Sequence, residues 1–140
     1  MAELSPNRRR AQQLLVGGAA GGHLALLLAV LGFAVARGLP AALSAAVAGI
    51  VTIAFFTIGQ AVQVLVADAP ARRVLIASLA SYGLRVSVLG GLLMLALANA
   101  AQIAWLDPIA VAVSTIAVVV GWLAAELWTY SRLRIPIYDE

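Results

Sequence analysis

The chain has 140 residues, of which 64% are hydrophobic and 11% charged, with nine basic and six acidic side chains. A water-soluble domain is about half apolar and about a quarter charged, so there is too little polar material here to cover a globule, and a mean hydropathy of +1.03 says the same. No cysteine and a single histidine exclude a disulfide framework, a thiolate metal site and a histidine-cluster metal centre.

Four apolar stretches carry the excess: residues 14–36, 41–67, 74–98 and 109–130. Each reaches the roughly 20 residues a helix needs to cross a hydrocarbon layer of about 30 Å. Strand alternation is absent, so helices are the spanning structure that satisfies every backbone group in lipid. The expected fold class is an all-α membrane protein with four transmembrane helices, a single integral membrane domain over residues 1–140. An N-terminal arm (1–13), three short connections and a tail (131–140) remain. None approaches the roughly 50 residues of a soluble catalytic domain.

The arm carries Arg8, Arg9 and Arg10. Together with the first apolar stretch and Ala34-Val35-Ala36, they have the layout of a signal peptide with a small-residue cleavage site. The stretch outruns the usual h-region of about 7–15 residues, and glycines fill its first half. The expectation is a retained span. Gly17, Gly18, Gly21 and Gly22 form two overlapping small-xxx-small pairs, a helix-packing face that lets backbones approach closely. That face serves either the bundle itself or another membrane helix. His23 falls near the midplane, where a histidine bonds across helices, carries a proton or ligates an ion.

Arg37-Gly38-Leu39-Pro40 ends the first helix, with Gly38 free to leave helical angles and Pro40 suited to start the next. Ala45 and Gly49 begin a second small-residue stripe, and Gln60 and Gln63 near the end of this helix are placed to bond across helices or reach water. Asp68-Ala69-Pro70-Ala71-Arg72-Arg73 is the second turn. Ser87 and Gly91 make a stripe on the third helix. Trp105 suits the headgroup level, Asp107 can cap the fourth helix ahead of Pro108, and Trp128 with Tyr130 forms the opposite aromatic belt. The tail, short and mixed in charge, is expected along the interface.

Charge sets the threading. Arg8, Arg9, Arg10, Arg72, Arg73, Arg132 and Arg134 fall on one side, and only Arg37 on the other. Short arginine-rich segments stay cytoplasmic, so both termini are expected inside a bacterial plasma membrane. The pI of about 10.2 then reflects topology and contact with anionic lipid. No basic helix face with aromatic platforms accompanies it, so no nucleic-acid partner is expected.

Arg85 is the one basic residue inside a span. It lies twelve residues beyond Arg73, roughly 17 Å by helical rise, at a depth where an arginine costs about 2.5–3.5 kcal/mol even on a lenient insertion scale. Glu126 is the one acidic residue inside a span, and side chains leaning toward their helix N-termini bring the two toward each other. An Arg85–Glu126 pair is expected, either structural or as a site for an anion, carboxylate or ion. Ser78, Ser81 and Tyr82 precede Arg85 by seven, four and three residues and share its face.

Size and helix number resemble a small multidrug exporter, but that family depends on a midmembrane glutamate in the first helix, and none is present. A cation channel would need a carboxylate ring, available only by oligomerisation around Glu126. An enzyme would need a nucleophile–base pair, a metal cluster or a phosphate loop; the sequence has none, and no cofactor is expected.

The basic arm, the four spans, the polar Tyr82-Gly83-Leu84-Arg85 segment and the ending Arg132-Leu133-Arg134-Ile135-Pro136-Ile137-Tyr138-Asp139 resemble actinobacterial members of the ATP synthase protein I family. The resemblance implies a small membrane accessory encoded with the F-type ATP synthase that assists rotor-ring assembly, with magnesium or calcium transport as the other role proposed for the family. The functional expectation is a non-enzymatic assembly factor whose partners are membrane lipids, ATP synthase membrane-sector subunits and further copies of the chain. The alternative is a divalent-cation transporter or channel subunit.

Overall fold

A computed structural model describes residues 4–133. It contains four long helices, α1 (Pro6–Arg37), α2 (Leu39–Val66), α3 (Ala71–Ala98) and α4 (Pro108–Arg132), with a short 3-10 turn at Ala100–Gln102. All four are long and apolar enough to cross a membrane, and no strand occurs among the described residues. The chain is an all-α protein of four membrane-spanning helices.

The N-terminal arm differs from expectation, because α1 begins eight residues before the apolar stretch. The Ser5 hydroxyl accepts from the Arg8 amide at 3.2 Å, and Pro6 occupies the first turn. That combination caps and starts a helix, and arginine is a good helix former. At 32 residues α1 is roughly 48 Å long, longer than the hydrocarbon layer, so its arginine turn stands at headgroup depth.

Two polar clasps fix which helix ends lie together. At one end Arg8 pairs with Asp68 at 3.1 Å, and the Ser5 hydroxyl donates to the same carboxylate at 2.6 Å. At the other, Arg37 pairs with Asp107 at 2.8 Å. The first clasp ties the start of α1 to the α2–α3 connection, and the second ties the end of α1 to the α3–α4 connection. Successive helices therefore alternate in direction, and the arginine-rich segments gather at one end. Gly38, with φ of 84°, makes the reversal between α1 and α2 that a side-chain-bearing residue would resist. Asp107 caps α4, its Oδ1 accepting from the Ile109 and Ala110 amides at 3.0 Å each. Ser44, fully buried on α2, steadies this turn by accepting from the Asp107 amide at 2.8 Å.

Packing is unequal. Helices α1, α2 and α4 form a close three-helix unit around Trp122, which is wholly buried with Val118, Ile53 and Phe56. The rings of Phe56 and Trp122 lie 5.5 Å apart at a tilt of 54°, an arrangement aromatic pairs favour. Ala41, Ala45 and Ala110 close the end nearer Asp107. Gly49 sits in the same unit against Leu26 and Val118. Helix α3 leans on α2, scarcely touches α4, and contributes no buried residue.

Candidate functional site between the helices

The glycines of α1 face α4. Gly18 and Gly22 lie beneath the indole of Trp122, Gly17 meets the Thr129 side chain, and Gly21 meets the Gly121 backbone. A Cβ on Gly17, Gly18 or Gly21 would overlap atoms of α4. This face is a seam within the bundle, filled by its own fourth helix. The Trp122 indole N–H is buried there without an acceptor among the described residues.

The intramembrane polar residues gather elsewhere, in a cavity of about 550 Å³ that opens toward the arginine-rich end. Helix α3 supplies Ser78, Tyr82 and Arg85, helix α2 Gln60 and Gln63, and helix α4 Glu126. Asn7 and Arg10 of α1 line its mouth. Ser78 donates to Gln63 Oε1 at 2.9 Å, and Ser81 donates to the Gly59 carbonyl at 3.4 Å. Both bonds tie α3 to α2. His23 lies apart from this cavity. Its ring is exposed on α1, and Nδ1 donates to the Ala19 carbonyl one turn back at 2.7 Å, so it bonds its own helix rather than a neighbour.

The expected Arg85–Glu126 ion pair is not formed. Glu126 accepts from Gln60 Nε2 at 2.7 Å, and among the described residues no salt bridge joins it to Arg85. Arg85 instead lies across α2. Its side chain occupies the space over Gly59 that a Cβ would fill, its guanidinium carbon is 5.3 Å from the Phe56 ring centroid, and Nε donates to the Ser81 carbonyl at 3.3 Å. The cause is the placement of α3: a helix standing against α2 directs its arginine onto α2. The cation is held by a ring face and a carbonyl, with Glu126 lining the same cavity but beyond ion-pair distance.

Sequence reasoning missed Gly59, Phe56 and Trp122. A glycine just ahead of Gln60 and Gln63 was the available signal for Gly59, since an isolated helical glycine marks close approach by something else. The tail beyond Leu133, including Arg134, lies outside the described residues.

Among the described residues the cavity offers two guanidinium groups, several amide and hydroxyl groups and one carboxylate already bonded to an amide. No three His, Asp or Glu side chains come together among the described residues. Compared with protein-family models, curated proteins and solved structures, the chain finds no match.

Proposed function

We propose that this chain is a non-enzymatic membrane accessory factor that holds hydrophobic subunits during assembly, with the rotor ring of the F-type ATP synthase as its client. The client rests on the sequence resemblance. The mode of action rests on one observation: α3 is an attached helix with no buried residue. Gly83, Ser87 and Gly91 recur every four residues on it, all exposed, and nothing lies within 4 Å of where a Cβ would stand on either glycine. Small residues at this spacing allow close helix approach, and the glycine face of α1 is an example of such a face with its partner in place. Docking therefore belongs to α3, since the face of α1 is already filled.

Divalent-cation transport draws less support. A path for a doubly charged cation would run past Arg10 and Arg85, with Glu126 the one carboxylate among the described residues of the cavity, and like charges at close range oppose entry. The test is a Gly83→Leu/Gly91→Leu variant. It should insert and fold normally yet lower the yield of assembled rotor ring. Unchanged ring yield with normal expression would remove the assembly reading.

A further inference from the structure

A recess larger than the polar cavity lies elsewhere in the molecule. It is an open groove of about 1020 Å³ between α1 and α4 at the arginine-rich end, running along the edge of the glycine seam and sharing no lining residue with the polar cavity. We propose that this groove is a binding site for one anionic phospholipid.

The lining is ordered by depth. Arg9, Gln12 and Gln13 of α1 and Arg132 of α4 stand at the outer end. Val16, Ala20 and Leu24 continue inward along α1. Gly17, Gly21 and Ala125 form a floor with little side chain, which is why the recess exists. From Arg9 to Leu24 is fifteen residues, roughly 22 Å of helix. One leaflet, headgroup included, is about 20–22 Å thick. The groove is therefore one lipid long, cationic where the phosphate would sit and apolar where acyl chains would run.

Charge complementarity selects the headgroup. Among the described residues no acidic side chain lines the groove and neither Arg9 nor Arg132 joins a salt bridge. Arg132 is held in place by Trp128, its guanidinium carbon 4.9 Å from the ring centroid, at the level where tryptophan favours the membrane interface. Two guanidinium groups on facing helices suit a phosphodiester bearing net negative charge. The neighbouring glutamines can bond its ester carbonyls or headgroup hydroxyls. A zwitterionic lipid places an ammonium at the same level and loses that match.

The test is native mass spectrometry of the delipidated full chain titrated with phosphatidylglycerol or phosphatidylcholine of identical acyl chains. One phosphatidylglycerol should be retained preferentially. Arg9→Gln/Arg132→Gln should weaken that retention roughly tenfold or more and leave phosphatidylcholine unchanged. Arg72→Gln/Arg73→Gln removes the same charge outside the groove and should have little effect. Ala20→Trp, at an exposed position in the apolar part, should block retention with the arginines intact. Should the arginine double variant fold poorly, Arg9→Gln alone and Ala20→Trp decide the matter. Equal retention of the two lipids, equal loss in the Arg72/Arg73 control, or full retention by Ala20→Trp would overturn the proposal. So would displacement by millimolar inorganic phosphate, which would reduce the groove to a simple anion site.

Discussion

Helices α1 and α3 carry the same kind of small-residue ladder and meet opposite fates. On α1 the ladder is covered by α4, where Trp122, Gly121, Ala125 and Thr129 fit the spaces the glycines leave. On α3 the ladder of Gly83, Ser87 and Gly91 is exposed, and no described residue lies against either glycine. In lipid, hydrophobicity gives helices no reason to associate, so shape and hydrogen bonds decide. A ladder is a seam only where a complementary surface exists within reach. The difference separates a structural unit, α1–α2–α4, from a helix attached to it by Arg85, Ser78 and Ser81.

The sharpest way to break this contrast is to fill the seam. Gly21→Leu places a side chain against the Gly121 backbone, which cannot move as a flexible side chain could. Overpacking of this kind costs about 3 kcal/mol, seen as lost folded yield or a large fall in Tm. A stability within about 0.5 kcal/mol of the parent would mean that α1 and α4 are not in close contact.

The next effect sharpens the account of what holds the polar cavity. Gln60→Leu removes the buried donor that Glu126 uses, and should cost about 2 kcal/mol. Double-mutant cycles on folding stability should give a coupling of about 1 kcal/mol or more for Gln60 with Glu126. The coupling of Arg85 with Glu126 should stay below about 0.5 kcal/mol. A larger coupling for the arginine pair would restore the direct ion pair.

Asp107→Ala removes the α4 cap and the partner of Arg37 together. The cap should account for most of a loss of about 1 kcal/mol, since an ion pair with an exposed arginine adds little. Asp107→Asn, which retains a capping side chain, should recover most of it in thermal unfolding.

The smallest effect falls on α3. Gly91→Leu should change stability in detergent by no more than about 0.5 kcal/mol, because nothing stands in the way of the new side chain. A loss comparable to that of Gly21→Leu would show that α3 packs more tightly than described.

Depth was legible in the sequence, and rotation only where glycines or polar residues marked a face, as on α1 and around Arg85. The rise per residue places Arg85 and His23 near the midplane and Glu126 nearer the arginine-rich end without any structure, and the Asp107-Pro108 pair announces the start of α4. Which way each side chain turns about its helix axis is another matter. In a soluble helix an apolar stripe marks the buried face, but these helices are apolar on all sides, so the outward His23 and the inward Trp122 carry no contrast to read. The Arg85–Glu126 expectation failed for the same reason: depth allowed the pair, while the lean of α3 on α2 sent the arginine over Gly59 and left Glu126 to Gln60. The extension of α1 back to Pro6 escapes a reading of hydropathy because the apolar stretch marks the hydrocarbon layer, whereas the helix continues into the headgroups on its Ser5 cap.

Cross-linking tests the central contrast most directly, since the chain has no native cysteine and single cysteines can be read without background. Ser87→Cys lies on the open face of α3, and Leu28→Cys lies at an exposed apolar position of α1 beyond the end of its glycine seam. Each would carry the same short thiol-attached photo-crosslinker in native membranes. A specific adduct is expected between position 87 and a rotor-ring subunit, with little or none from position 28. Equal capture from both positions, or no adduct from position 87 while the ring assembles normally, would contradict it.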